Sequence, residues 1–306
     1  MIALQLLINA LSIGAAYSLV ALGFVLILNA TAAVNFAQGD LVMLGGFVAV
    51  TLAGALPVPG IVLLPLVLAI MAAVGLALSA LAYFPLARRP PETVFISTIA
   101  VGIVLENGAT LFFGPEPKAA PALWRGGDFD LGSLVVSRQS IAIVASAALL
   151  ILLLHGLFAH TQFGRRLRAT AQDRDMAASL GVPVARMIAI TFALGAALAG
   201  AAGLLLANSF FVTPTDGTNY VLKAYIAAAI GGWGSVPGAV LGALLIALFE
   251  VVYPAIPALV PALGHGIYAE TIFSQTSATI LLDLAILAIL MVRPRGIFGD
   301  AARTRP

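Results

Sequence analysis

Long apolar runs, separated by short clusters of proline, glycine and charge, account for most of the chain. A helix needs roughly 20 mostly apolar residues to cross about 30 Å of hydrocarbon. Runs of that order lie at residues 4–28, 34–55, 60–86, 93–113, 139–159, 184–207, 236–256 and 271–292. They are continuous rather than alternating, which excludes a transmembrane barrel, and peptide groups in lipid find no water to bond, so the spans must be helical. The pattern predicts an all-α integral membrane fold of about eight transmembrane helices. A shorter apolar stretch, Val221 to Ile230, is left over, and the region Tyr220 to Gly234 reads as either a short tilted span or a re-entrant half-helix. The first run begins at Ile2, has no basic residues before it and exceeds a signal-peptide core in length, so it is read as a retained span.

The connections between runs carry the orientation. Arg88 and Arg89, then Arg165, Arg166, Arg168, Arg174 and Arg186, then Arg293, Arg295, Arg303 and Arg305 hold most of the cations. By the positive-inside rule these regions are cytoplasmic. The loop at about 114–138 mixes Glu116, Lys118, Arg125, Asp128, Asp130 and Arg138 and belongs outside. Parity, with the Tyr220–Gly234 stretch counted as a crossing, then places the N-terminus outside and the C-terminus inside. The whole chain, 1–306, is expected to be one transmembrane domain, with its main cytoplasmic loop at about 160–183.

Composition agrees with this reading and narrows the chemistry. Hydrophobic residues make up 61% and charged residues 9%, against about a quarter charged in soluble domains, so a soluble core is excluded. Cysteine is absent, which removes disulfides, thiolate catalysis and cysteine-based metal sites. His155, His160 and His265 are scattered, and the net charge of +2 is explained by topology rather than by nucleic acid.

Two runs are interrupted at a depth where continuous helix is expected. The first break contains Asn35, Gln38, Gly39 and Asp40; the second contains Gly231, Gly232, Trp233, Gly234, Ser235 and Pro237. Broken helices in a membrane line cavities, where freed backbone groups bind a polar solute. They also occur as tight turns whose glycines allow close packing. Three carboxylates, Glu106, Glu250 and Asp283, fall inside predicted spans, Glu106 beside Asn107 and Glu250 near a span end. Charge at this depth is costly, so each is expected to serve a solute or proton path or to be a hydrogen-bonded structural carboxyl. In the cytoplasmic loop, Leu167, Ala171, Arg174 and Ala178 recur as one face of a short helix that Gly181 is placed to stop. That helix suits either docking in a protein groove or lying on anionic lipid.

Asp175-Met176-Ala177-Ala178-Ser179-Leu180-Gly181 resembles the EAA loop of ABC importer permeases, with Asp for the usual Glu and Met176 for the first alanine. Asn35-Phe36-Ala37-Gln38-Gly39-Asp40 resembles the Asn-Phe-Ala-His-Gly-Glu element of the branched-chain amino acid permease family, with Gln38 for His and Asp40 for Glu. The stretch Ala229 to Gly242, the ending Arg293-Pro294-Arg295-Gly296-Ile297-Phe298-Gly299 and the opening Ile13 to Gly23 are similar to further elements of that family, in the same order.

The resemblance implies an ABC importer permease fold in the bacterial inner membrane. It also implies two ATP-binding subunits on the cytoplasmic face, a second permease subunit, identical or homologous, and a periplasmic solute-binding protein. The chain itself would bind no cofactor; ATP and magnesium would belong to the partner subunits, and no Gly-x-x-x-x-Gly-Lys-Ser/Thr loop is present. Residues expected to couple to the ATPase are Gly164, Arg165, Arg168, Asp173, Asp175, Ala177, Ala178 and Gly181. Residues expected on the solute path are Asn35, Gln38, Gly39, Asp40, Glu106, Asn107, Gly232 and Gly234. The solute class spans branched-chain amino acids, amides, urea and aromatic acids. A proton-coupled secondary transporter and a passive channel for a small neutral solute are the alternatives.

Overall fold

Each continuous apolar run folds as a helix, as a solvent without hydrogen-bonding groups requires. The computed structural model describes residues 2–56, 58–124, 126, 129–130, 135–260 and 271–292. Helix α1 covers Ile2–Thr31, α2 Gln38–Ala55, α3 Gly60–Leu78, α4 Pro91–Phe113, α5 Arg138–His160 and α6 Gln162–Gln172. Then α7 covers Arg174–Ser179, α8 Val184–Phe210, α9 Gly217–Gly231, α10 Val236–Val252, α11 Ile256–Leu259 and α12 Gln275–Val292.

Among the described residues, seven helical spans are long and apolar enough to cross a membrane: α1, α2, α3 continued to Leu86, α4, α5, α8, and α10 continued to Leu259. A shorter apolar helix within α12, Gln275–Ile289, occupies the eighth predicted position. The leftover stretch is α9, whose 15 residues rise roughly 22 Å and fall short of the hydrocarbon thickness. The C-terminal motif from Arg293 to Gly299 and its cations lie outside the described residues, as do Arg125, Asp128 and His265.

Without a hydrophobic force between helices in lipid, close packing through small side chains holds the bundle together. Helices α1 and α8 form its centre, flanked by α2, α3 and α10. Gly45 of α2 lies directly on Gly200 of α8, where a Cβ at Gly45 would strike the Gly200 backbone. Outward, α4 and α5 present Ile103, Val104, Leu111, Phe112, Leu149, Leu152 and Leu153, the apolar faces expected toward lipid. The α4–α5 connection holds a two-residue antiparallel ladder, Phe129–Asp130 with Val135–Val136, and is tied to the end of α8 through the Lys118–Val212 bridge.

Candidate functional site

The first break returns the chain into the bundle rather than along its end. Helix α1 stops at Thr31, whose hydroxyl donates to the Ile27 carbonyl at 2.6 Å, and Ala32 turns at φ +50°. The connecting segment packs on α4: the Phe36 amide donates to Thr98 Oγ1 at 3.0 Å, and the Phe36 and Phe95 rings meet edge to face at 4.7 Å. Helix α2 then begins at Gln38, whose Nε2 donates to the Gly195 carbonyl at 3.2 Å. Gly195 lies three turns along α8 from Val184, roughly 16 Å of rise, so the polar residues are deep in the bundle.

Asn35 is 2% exposed and Gln38 fully buried. Among the described residues neither polar atom of the Asn35 carboxamide, nor Gln38 Oε1, has a hydrogen-bond partner. Buried polar atoms are ordinarily satisfied, so three orphans within four positions mark a place where water or a solute group is needed. Asp40 is also buried, in the first turn of α2, where the helix dipole favours a carboxylate. Its carboxylate lies against Gly102 of α4 and Gly217 at the start of α9; a Cβ at either glycine would collide with it. Gly39 backs onto the Gly217 carbonyl in the same way. The structure thus brings Asn35, Gln38, Gly39 and Asp40 together where α2, α4, α8 and α9 meet. Glu106, one turn beyond Gly102, is half-buried, whereas Asn107 is exposed and donates to its own helix at the Ile103 carbonyl (2.7 Å).

The second break is a tight turn between α9 and α10. Gly232 and Gly234 adopt φ of 102° and 81°, a region open to glycine, and Gly231 packs on the Gly238 backbone. Asn29 Nδ2 bonds the Gly234 carbonyl at 2.9 Å and fastens the turn to α1.

Glu250, near the end of α10, is buried in the bundle. Lys223 Nζ lies 2.9 Å from its Oε1, and the Tyr17 hydroxyl donates to its Oε2 at 3.0 Å. Lys223 also donates to the Tyr17 oxygen at 2.6 Å, closing a network across α1, α9 and α10. Lys223 is the residue that sequence reasoning missed. A single cation inside an apolar stretch was the available signal, because membrane charge needs a partner. Asp283, in contrast, is exposed on α12.

The loop between α5 and α8 folds as two helices, not one. The chain is extended at Asp173 (φ −159°), which ends α6 and caps α7 by accepting the Met176 amide at 2.9 Å. The break rotates Leu167 and Ala178 off a common face: Leu167 is buried, Ala178 exposed. Thr161 caps α6, and Gly164 is buried in the α5–α6 corner, where a Cβ would strike the Phe158 carbonyl. Gly181, at φ +81°, stops α7 as expected, with the Val182 amide returning to the Ala177 carbonyl at 3.0 Å. Ala177 is buried; Met176 and Leu180, which the sequence pattern did not single out, are 59% and 76% exposed. Arg165, Asp173 and Asp175 are exposed around them. Two arginines fasten the pair to the bundle: Arg168 Nη1 donates to the Phe158 carbonyl at 2.5 Å, and Arg174 Nη1 to the Tyr83 hydroxyl at 3.2 Å. Tyr83 sits on a π-helical turn, Ser79–Tyr83, with its ring 5.4 Å from that of Phe192 on α8. Among the described residues, no group of three or more His, Asp or Glu is placed to hold a metal ion.

This architecture has relatives. A permease protein of the high-affinity branched-chain amino acid transport system of Pseudomonas aeruginosa, BraD, is 31% identical over 97% of this chain and 95% of its own length. The LivH permease protein of the same kind of system in Escherichia coli is also 31% identical, over 97% and 95%. A probable LivH permease of Methanocaldococcus jannaschii is 28% identical over 92% of this chain and 88% of its own. Among solved structures, PsaBC from Streptococcus pneumoniae in complex with Fab is similar at 15% identity and a TM-score of 0.49, covering 94% of this chain and 91% of that one. The family model for the permease component of branched-chain amino acid transport systems matches residues 6–292, and the chain belongs to that family.

Proposed function

We propose that this chain is the membrane-spanning subunit of an ATP-driven importer that carries branched-chain amino acids across the bacterial inner membrane by alternating access. The observation that carries the reading is the family match over residues 6–292. The chain is non-catalytic; two ATP-binding subunits supply ATP and magnesium chemistry, and a second permease and an external solute-binding protein complete the assembly. Its N-terminus is outside and its C-terminus inside, with α9 and the residues that lead into it completing a ninth crossing.

In this reading α6 and α7 are the lever. Met176 and Leu180 offer an apolar contact, ringed by Arg165, Asp173 and Asp175, that suits a shallow groove on an ATP-binding subunit. Arg168 and Arg174 transmit its motion to α5 and to Tyr83, while Gly164 and Gly181 fix the two ends of the element. The path includes the Asn35, Gln38 and Asp40 junction, whose unpaired carboxamide atoms are supports for passage of a polar solute. Glu106 lies on the α4 wall of the same junction, and Gly232 and Gly234 form the turn on which α9 moves. Amides, urea and aromatic acids remain within the reach of the same architecture.

Purification of the tagged chain from its host membranes, with identification of its companions, tests the proposal. Two ATP-binding subunits and a second permease support it. A lone homo-oligomer that transports without ATP ends it.

A further inference from the structure

Helix α12 packs on α9 and α10 through Ala278, Leu282 and Ile286, which are buried. On its remaining surface Ile280, Leu284, Leu287 and Met291 are exposed and apolar, as lipid contact demands. Between these faces runs a third. Thr276, Thr279 and Asp283 recur at i, i+3 and i+7, which places them on one stripe of the helix, and all are exposed. Asp283 is near the midpoint of α12, roughly 12 Å of rise from either end, so the stripe leads from one end of the helix to mid-depth. A carboxylate at that depth does not face hydrocarbon; such groups face a partner or a water-filled cavity. Thr276 and Thr279, the latter donating its hydroxyl to the Gln275 carbonyl at 3.2 Å, continue the polar stripe from Asp283 to the helix end, the pattern that a wall of a water-filled cavity requires.

We infer that the Thr276–Thr279–Asp283 stripe lines a water-filled vestibule, and that Asp283 receives the ammonium group of the solute there. The inference rests on the importer reading for its solute. Its chemical logic is charge complementarity: in a low-dielectric wall an isolated carboxylate attracts a cationic group, and an α-amino acid carries one next to its carboxylate. Asp283 thereby favours amino acids over neutral solutes and over acids that lack the amine.

The chain has no native cysteine, so single-cysteine variants report cleanly. In the complete transporter in membrane vesicles, Asp283→Cys and Thr279→Cys are treated with trimethylammonium-ethyl methanethiosulfonate, with Leu284→Cys as the apolar-face control. Both stripe positions are expected to react at least about tenfold faster than Leu284→Cys, since thiol reaction follows access to water. Leucine, but not 4-methylpentanoate, which lacks the amine, is expected to slow the reaction at Thr279→Cys, about one turn from the intact Asp283 carboxylate. A conservative variant, Asp283→Asn, is expected to raise the KM for leucine about tenfold with kcat retained, the loss of one charge-assisted contact. Stripe cysteines no faster than the control overturn the vestibule. Equal protection by leucine and 4-methylpentanoate, or none by either, overturns the ammonium site. Leucine uptake by wild type in the same vesicles separates the two layers: uptake with unprotected Thr279→Cys refutes this inference alone, whereas absent uptake refutes the importer reading and the ammonium assignment with it. Should Asp283→Cys fail to assemble, Thr279→Cys still decides the vestibule and Asp283→Asn the ammonium contact.

Discussion

The Lys223–Glu250 pair gives a quantitative test of how the bundle is held. Removing one member of a buried pair costs about 3–5 kcal/mol, because the other charge is left uncompensated. Here the Lys223 side chain is 23% exposed and its stem is free to carry the ammonium toward water, so the cost for Glu250→Leu is reduced to about 2 kcal/mol. Lys223→Met leaves a carboxylate whose side chain is only 5% exposed, and should cost more, about 3 kcal/mol. Tyr17→Phe removes one hydroxyl that bridges both charges and should cost about 0.6 kcal/mol, the usual worth of a hydrogen bond between membrane helices. The double variant Lys223→Met/Glu250→Leu buries no unpaired charge and should return to within about 1 kcal/mol of wild type. Unfolding titration with sodium dodecyl sulfate in mixed micelles measures all four. Additive costs in the double variant would refute the pairing. The same variant tests Glu250 as a proton carrier: retained uptake is expected, and its loss in a stably folded double variant would give the carboxylate a transport role.

Asn35→Leu should stabilise the fold by about 1–3 kcal/mol, since it removes buried polar atoms without partners, while lowering uptake; stabilisation with unchanged uptake would take Asn35 off the path. Gly45→Val forces side-chain atoms onto the Gly200 backbone and should cost about 1–3 kcal/mol or more in the same titration; no change would contradict the close α2–α8 crossing. Gly181→Val places a β-branched residue at φ +81° and should leave ATP hydrolysis running with little uptake; parallel survival of both activities would remove the end of α7 from the coupling role. Arg174→Ala, which frees α7 from Tyr83, should lower the number of solutes moved per ATP, read by paired uptake and hydrolysis assays; an unchanged ratio would show that the tether transmits nothing.

The spans were legible because one physical signal, apolar length, sets both their existence and their position. The predicted run 60–86 matches the α3 span to the residue, and 184–207 differs from α8 only at its end. Local breaks were legible in place but not in shape. Gly232 and Gly234 announce a turn, yet only the folded chain shows that Gly231 and Gly238 bring α9 and α10 into backbone contact. The α6–α7 break depends on one extended residue, Asp173, and a periodicity that reads through it gives one helix instead of two. Long-range pairing was illegible. Nothing near Glu250 in the sequence points to Lys223 or to Tyr17, 233 positions away. Exposure was equally hidden: Asp283 and Glu250 look alike as carboxylates in apolar runs, and packing alone makes one buried and the other exposed.

Transport by the reconstituted assembly bears most directly on the central claim. Proteoliposomes holding this chain with its copurifying partners, ATP at the face of α6 and α7 and labelled leucine with its binding protein at the other, should accumulate leucine above its external concentration. Accumulation should stop without ATP and be indifferent to a proton uncoupler. Leucine accumulation by this chain alone, independent of ATP and abolished by the uncoupler, would contradict the account and make the protein a proton-coupled transporter.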